Sequence, residues 1–342
     1  MATLVQVKAA CALVALHAVA RDFDVSKPWL NRIVEHAPRQ LLRAVDDFSL
    51  EVHAGQTVAL VGESGCGKST VARLIVGLFP PSHGRIEFDG APQTTAAAGI
   101  WSREVRRRMQ MIFQDPYASL NPRWRVSDIV AEPLLAHGLL TGRADLRARV
   151  FDLLAQVGLA AADGDKYPHE FSGGQRQRIS IARALSSAPE FLVCDEPTSA
   201  LDVSVQAQIL NLMKELQDRL GLTYLFISHN LAVVSQMATR VGVMYLGRLV
   251  ELADAEALFS RPQHPYSRML LDAIPDLDMS GRPRTPVAGE VANPLDPPSG
   301  CAFHPRCPLA NQRCRAERPA LKRAAQGSLV ACHAVEEGRI AA

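Results

Sequence analysis

The stretch Gly62-Glu63-Ser64-Gly65-Cys66-Gly67-Lys68-Ser69-Thr70 restricts what this chain can fold into more than any other. It fits G-x-x-x-x-G-K-[ST], a pattern in which glycines let successive backbone N–H groups turn inward around phosphates while the lysine, here Lys68, reaches the terminal ones. The Ser69 hydroxyl would then lie on Mg2+. The flanks agree with the motif. Thr57-Val58-Ala59-Leu60-Val61 is a short apolar run with β-branched residues, and Val71 to Val76 reads as a helix up to Gly77. A strand, a glycine loop and a helix N-terminus in that order form an anion site. Alone, the motif implies a bound nucleotide and says nothing of what the nucleotide drives.

The 342 residues, 48% of them hydrophobic, suffice for about two or three compact units with buried cores. Lys+Arg 37 against Asp+Glu 35 leaves a formal +2, so no strong field points to nucleic acid or an acidic partner. The cluster Arg103, Arg106, Arg107 and Arg108 reads as a solvated helix face. The longest uncharged apolar segment, Ala9 to Ala20, is too short to span a bilayer and contains His17. With Lys8 before it and Ala18-Val19-Ala20 at its end, it imitates a secretory signal. A phosphate loop and 7 cysteines of irregular spacing suit a reducing cytosol better, so the segment is read as a first β-strand leading into Arg21-Asp22-Phe23.

Residues up to about 60 read as strands and turns, interrupted by a surface loop from Ser26 to Arg39. Gly84 to Gly90 alternates as a strand bounded by turns. From Asp115 to Ala188 the periodicity becomes helical, over Val126–Leu135, Leu146–Val157 and Ser172–Leu185, which marks a helical subdomain at about 115–188. Two wholly apolar strands follow, Phe191–Cys194 and Tyr224–Ile227, with a helix between them from Ser204 to Leu220. Strand, crossover helix and buried strand require a parallel sheet and an α/β fold. Gly281 to Gly300 is proline-rich, excludes regular structure and sets off a cysteine-bearing tail.

The chemistry sharpens at Phe191-Leu192-Val193-Cys194-Asp195-Glu196, where an apolar strand delivers two acids to the sheet edge at which open α/β sheets bind ligands. Asp195 can hold Mg2+ beside Ser69, and Glu196 can accept a proton from an attacking water. Cys66 lies next to a helix N-terminus, a position that can lower a thiol pKa; the plainer reading is a small loop filler.

Further segments occur in a telling order: Ile112-Phe113-Gln114-Asp115-Pro116, then Phe171-Ser172-Gly173-Gly174-Gln175-Arg176-Gln177-Arg178, then Ser199-Ala200-Leu201-Asp202, then Ile227-Ser228-His229-Asn230. Together with the phosphate loop and the acid pair they resemble the ATP-binding cassette (ABC) ATPases. The resemblance implies a RecA-like P-loop core with an antiparallel β subdomain and a helical subdomain over residues 1–270. It further implies that Gln114 touches the metal or attacking water, that His229 holds the γ-phosphate and steadies Glu196, and that Phe23 stacks on adenine. Packing of Phe23 in the core is the competing reading. Ser172, Gly173, Gly174 and Gln175 would meet the γ-phosphate held by an opposing subunit, from a helix beginning near Gln175, with Asp202 coupling the two sites. A head-to-tail dimer follows.

The tail adds a narrower resemblance. His264-Pro265-Tyr266-Ser267-Arg268-Met269-Leu270-Leu271, Ile274-Pro275 and Pro297-Pro298-Ser299-Gly300-Cys301-Ala302-Phe303-His304-Pro305-Arg306-Cys307-Pro308 resemble the C-terminal extension, here 271–342, of dipeptide and oligopeptide permease ATPases. This implies an ATP-hydrolysing, Mg2+-dependent subunit of a peptide importer on the cytoplasmic face of the cell membrane. Its partners would be a second ATPase subunit, most simply a paralogue, two integral membrane permease subunits and, indirectly, an extracytoplasmic solute-binding protein. Importers of nickel or glycosides carry similar tails. Cys301, Cys307, Cys314 and Cys332 match no common ferredoxin or zinc-finger spacing. The resemblance implies a [4Fe-4S] cluster on them, with zinc as the alternative; His304 and His333 read as structural. A soluble ABC ATPase acting on nucleic acid is the rival class, disfavoured by the single cassette and the lack of a basic tract.

Overall fold

In the computed structural model, which describes residues 12–36, 38–95, 101–273, 289–324 and 327–340, the apolar runs become strands and the helical patterns pack on both sides of them. From the N-terminus, β1 (Val14–Asp24), α1 (Trp29–Glu35), β2 (Leu41–Val52), β3 (Thr57–Val61), α2 (Lys68–Ile75), β4 (His83–Phe88), β5 (Ala91–Thr95), α3 (Arg103–Arg108) and β6 (Met109–Ile112) come first. A run of helices follows: α4 (Pro116–Ser119), α5 (Val126–Ala136), α6 (Arg143–Gln156) and α7 (Gly173–Leu185). The chain returns to the sheet through β7 (Phe191–Asp195), α8 (Val203–Leu220), β8 (Thr223–Ile227), α9 (Leu231–Met237), β9 (Arg240–Tyr245) and β10 (Arg248–Asp254), then α10 (Ala255–Ser260) and α11 (Pro265–Asp272). The tail adds α12 (Gln312–Ala316), β11 (Lys322–Arg323), β12 (Leu329–Val330) and α13 (His333–Glu336).

Two sheets result. One is antiparallel, in the order β2-β1-β4-β5. In the other, β9-β3-β8-β7-β6 run parallel, and β10 continues antiparallel beside β9. A parallel strand covered on both faces must be apolar at every position, and the alternation of its side chains decides which layer each one feeds. Ala59 and Val61 of β3, Leu192 and Cys194 of β7, and Tyr224 and Phe226 of β8 join the core beneath the helical layer. Val58 and Leu60, Phe191 and Val193, and Leu225 and Ile227 point the other way, into the core shared with the antiparallel sheet.

Within the helical segment, α7 is tied to α4 and to the end of α6 through arginines that donate to backbone carbonyls. Arg183 of α7 reaches the Ser119 carbonyl at 2.8 Å and Arg178 the Val157 carbonyl at 2.6 Å. Two expectations change. The loop expected from Ser26 to Arg39 contains α1, a helix of 7 residues, too short to show a period, whose Trp29 and Val34 are exposed. The arginine cluster is not all solvated: Arg108 forms a two-pronged contact with Glu190 at 2.6 and 2.7 Å and reaches Asp89 at 2.9 Å. It pins α3 to the residue just before β7 and to the turn after β4.

Residues 281–288 of the proline-rich segment, and Ile274-Pro275, lie outside the described residues; 289–300 form turns and bends. Beyond them the tail folds back onto the cassette. β12 pairs with β10 (Glu251 with Val330, Leu252 with Leu329), and β11 pairs with β12. Phe303 is 2% exposed within the main core and stacks edge-on against Tyr245 of β9 at 5.3 Å. The buried Glu251 carboxylate accepts the N–H groups of Gln263 and His264, both at 2.8 Å, and so fixes the start of α11. Phe303→Ala is expected to lower the unfolding free energy by about 3–5 kcal/mol. A denaturant titration should show this loss in the transition of the whole chain; a cassette transition that stays in place would mean the tail is energetically separate.

Candidate active site

Register across the parallel strands brings the motifs together. Leu60 of β3 lies opposite Ile227 of β8, which lies opposite Asp195 of β7, while Cys194 lies opposite Ile112 of β6. The residues just past this row are therefore neighbours at one sheet edge: Gly62 and Glu63 after β3, His229 after β8, Glu196 after β7 and Gln114 after β6.

The phosphate loop is shaped by what it passes. Gly62 (φ 150°) runs so close to β9 that a Cβ would lie 2.2 Å from the Met244 carbonyl oxygen, and at Gly67 (φ 107°) it would lie 2.3 Å from that of Ala44. Only glycine fits either position. Lys68 is buried, and its ammonium donates to the carbonyls of Gly62 at 2.8 Å and Glu63 at 3.0 Å. Ser64 and Gly65 are exposed, so the mouth of the loop is open. The Ser69 hydroxyl donates to Asp195 Oδ1 at 3.0 Å, which sets a hydroxyl and a carboxylate side by side as hard oxygen ligands for Mg2+. Burial pushes the Asp195 carboxyl above its ordinary range, against the hydrogen bond from Ser69. A coordinating cation would favour its ionised form.

Glu196 has φ 47°, in the left-handed region that a non-glycine residue occupies only when its surroundings hold it there. Its N–H donates to the Ile227 carbonyl at 2.9 Å. Its Oε2 accepts from Gln114 Nε2 at 2.9 Å and lies 3.2 Å from His229 Nδ1. A carboxylate held on both sides beside a second carboxylate that could hold Mg2+ can orient a water and take its proton.

Other predicted residues sit elsewhere on the surface. Phe23, partly exposed on β1, packs edge-on against Phe79 at 5.4 Å, with the Arg21 guanidinium 4.8 Å from its centroid. The helix expected near Gln175 begins at Gly173, with Ser172 as its N-cap. Ser172 Oγ accepts from the Gln175 N–H at 3.4 Å while Gln175 Oε1 accepts from the Ser172 N–H at 3.0 Å, a closed capping box. The next loop packs beside it: a Cβ on Gly173 would meet Leu201 Cδ2 at 3.4 Å, and one on Gly174 would meet Val205 Cγ1 at 2.4 Å. Asp202 is exposed as the N-cap of α8. Two residues that sequence reasoning passed over for this site, Tyr266 and Arg306, both contact Glu63. Their distance along the chain left no local pattern to find.

Neither the activated-thiol alternative for Cys66 nor the metal expectation for the tail cysteines is supported. Burial pushes the Cys66 thiol up, and the nearby Lys68 ammonium does not reverse this, so Cys66 is not an activated thiol. In the tail, Cys301, Cys307, Cys314 and Cys332 are free thiols. Burial pushes Cys301 up to about 11 and raises Cys307 and Cys332 as well. Yet among the described residues no three His, Cys, Asp or Glu side chains are grouped to hold a metal ion. Cys301 and Cys307 pack on the main core, and Cys332 belongs to a small cluster with Val330 and Ala334. The [4Fe-4S] and zinc expectations therefore find no support in this geometry. His304 Nδ1 lies 3.0 Å from the Cys301 carbonyl and His333 Nε2 3.0 Å from that of Glu317.

Sheet order, phosphate loop and edge acids define an ABC-type nucleotide-binding fold. Residues 45–199 match the ABC transporter family, and residues 250–314 match the C-terminal region of oligopeptide/dipeptide transporters. The oligopeptide transport ATP-binding protein AppF of Bacillus subtilis is 48% identical over 295 residues, 85% of this chain and 89% of the relative. The di/tripeptide transport ATP-binding protein DppF of Pseudomonas aeruginosa is 50% identical over 320 residues, 93% of this chain and 96% of the relative. Among solved structures, the dimeric post-hydrolysis state of the ATP-binding cassette MJ0796 bound to ADP and Pi superposes with a TM-score of 0.60 at 26% identity, covering 71% of this chain and 98% of that one. The chain belongs to the ATP-binding subunits of peptide ABC transporters.

Cys66 should react with a maleimide at neutral pH at least about ten times more slowly in the folded protein than in the unfolded chain, because little thiolate is exposed. Site-resolved mass spectrometry reads the two rates, and comparable rates would contradict the burial argument.

Proposed function

We propose that this chain hydrolyses ATP at a site shared with a second ATPase subunit and so drives a membrane importer of di- and oligopeptides. The observation that carries the reading is the coexistence of a complete hydrolytic edge with a tail matching the oligopeptide/dipeptide transporter C-terminal region. The names of the relatives favour peptides over nickel or glycosides. Residues 1–270 form the ATPase in this reading, with 115–188 as its helical subdomain and 271–342 as the transporter-type extension.

Each residue then has a task. Backbone N–H groups of the Gly62–Thr70 loop other than that of Glu63, which donates to Tyr266, hold the phosphates, and Lys68 exchanges its carbonyl partners for phosphate oxygens. Ser69 and Asp195, with Gln114 nearby, would hold Mg2+, which would supply positive charge against the phosphates. Glu196 takes the proton of the attacking water, steadied by Gln114 and His229. Phe23 offers its face to adenine, a contact worth about 1 kcal/mol.

The signature Ser172-Gly173-Gly174-Gln175 serves the nucleotide of the partner, and Asp202 lies at the seam. Among the described residues no hydrogen bond joins that signature to the chain's own phosphate loop, and the similar cassette MJ0796 was solved as a dimer. The second ATPase is a paralogue, and two polytopic permease subunits complete the complex, with a solute-binding protein meeting them outside the cell. No helix among the described residues is long and apolar enough to cross a membrane, which fits a peripheral subunit on the cytoplasmic face.

The intact complex, purified with its membrane subunits, should carry peptides identifiable by mass spectrometry. Its Glu196→Gln form should bind ATP while losing turnover by about 10²–10⁴-fold. A complex that captures only non-peptide solutes would overturn the substrate class, and normal turnover in Glu196→Gln would overturn the proton acceptor. Gly173→Ala, whose methyl has room beside Leu201, should fold normally yet abolish most hydrolysis at the shared site. Full activity in folded Gly173→Ala would argue against a composite site.

A further inference from the structure

The phosphate loop is clasped from outside by the tail. Arg306 closes a short turn, His304–Arg306, and its side chain is only 3% exposed. Its Nη1 donates to Glu63 Oε2 at 2.7 Å and its Nη2 to Glu63 Oε1 at 2.9 Å, a two-pronged contact spanning 243 positions of sequence. Tyr266, fully buried, accepts the Glu63 N–H at 2.9 Å and donates its own hydroxyl to Glu63 Oε2 at 3.4 Å. The platform beneath is aromatic. Tyr245, Tyr266 and Phe303 pack with centroids 4.8 to 5.4 Å apart, and the guanidinium lies within 5.9 Å of the Tyr245 and Phe303 rings.

Glu63 places a carboxylate inside a loop whose N–H groups gather around a polyanion. Unpaired, that charge would repel the phosphates through a partly desolvated medium, where Coulomb interactions weaken slowly with distance. A buried, two-pronged guanidinium cancels the charge and fixes the direction of the carboxylate. Tyr266 meanwhile commits one N–H of the loop, so the conformation of the first half of the loop is set by residues that follow the cassette's last sheet strand.

We propose that Arg306 is a positioning residue for ATP binding: it neutralises and orients Glu63, so that the phosphate loop binds nucleotide at full strength only while the tail is docked. The inference rests on the reading of Gly62–Thr70 as the ATP site. It makes the tail part of the nucleotide-binding apparatus, so that displacement of the turn at Arg306 by a partner chain would be felt as a loss of ATP affinity.

The test measures binding of a fluorescent ATP analogue with Mg2+ to the full-length chain, and ATP KM and kcat in the assembled complex. Arg306→Met should weaken binding about tenfold and raise KM in step, with kcat at saturating ATP changed by less than about threefold. Adding Glu63→Gln to Arg306→Met removes the orphaned carboxylate and should recover most of that affinity. Arg306→Lys, which keeps the charge without the fork, should fall between wild type and Arg306→Met. If Arg306→Met does not fold, Arg306→Lys decides alone: about a threefold loss that Glu63→Gln relieves supports the proposal. Unchanged affinity in a folded Arg306→Met, or in Arg306→Lys where that variant decides alone, overturns it. So does a double variant as weak as the single one, since a purely structural arginine gives no rescue by charge removal. Failure of the wild-type chain itself to bind the analogue would instead remove the ATP reading, and this inference with it.

Discussion

The register of β3, β8, β7 and β6 is the constraint on which the other features depend. With Leu60, Ile227 and Asp195 in one row and Ile112 beside Cys194, four successive strand ends must release their loops at the same edge. A slip of one residue would exchange the two faces of a strand and move its terminal acid or amide away from the others. The apolar side chains on both faces prevent that slip, because each strand feeds alternate residues to two different cores. Packing and chemistry are thus set by one alignment.

At that edge the electrostatics are arranged in advance. Asp195 is desolvated beside the Ser69 hydroxyl, Glu196 is held in an unfavourable backbone conformation between Gln114 and His229, and the Lys68 ammonium rests on loop carbonyls. Of these groups, the Asp195 carboxyl is the one whose charged form burial disfavours. A cation beside it would favour that form, the sense in which a site of this kind is preorganised for its ligand.

Much of this was legible in the sequence, for reasons that particular residues make plain. The strands Thr57–Val61, Phe191–Asp195 and Thr223–Ile227 are short and wholly apolar, and α5, α6, α7 and α8 carry helical periodicity over several turns, so local pattern and tertiary role agree. The motifs at the edge are local too, each a few residues beyond a strand. What escaped was non-local or too short to have a period. The helix α1 has only 7 residues, and β11 and β12 have two residues each. Arg108 looked like one of four solvated cations because its partners Asp89 and Glu190 come from other elements. The tail cysteines invited a metal through resemblance, whereas Cys301 and Cys307 pack on the main core, Cys332 joins Val330 and Ala334, and no metal-holding group forms among the described residues. The Arg306 contact to Glu63 joins two motifs that were each visible, with nothing local to say that they touch.

The tail changes how the cassette is to be regarded. Strand β12 extends the central sheet, Phe303 enters its core, and Arg306 and Tyr266 hold the first side chain of the phosphate loop. The most direct measurement of the central claim, that the sheet edge assembles one cation site from separate strands, is electron paramagnetic resonance of Mn2+ in place of Mg2+ with a non-hydrolysable ATP analogue. Ser69→Ala and Asp195→Asn should each weaken Mn2+ binding in the ternary complex by about tenfold or more while the chain stays folded. Mn2+ affinity unchanged in both variants would contradict the account.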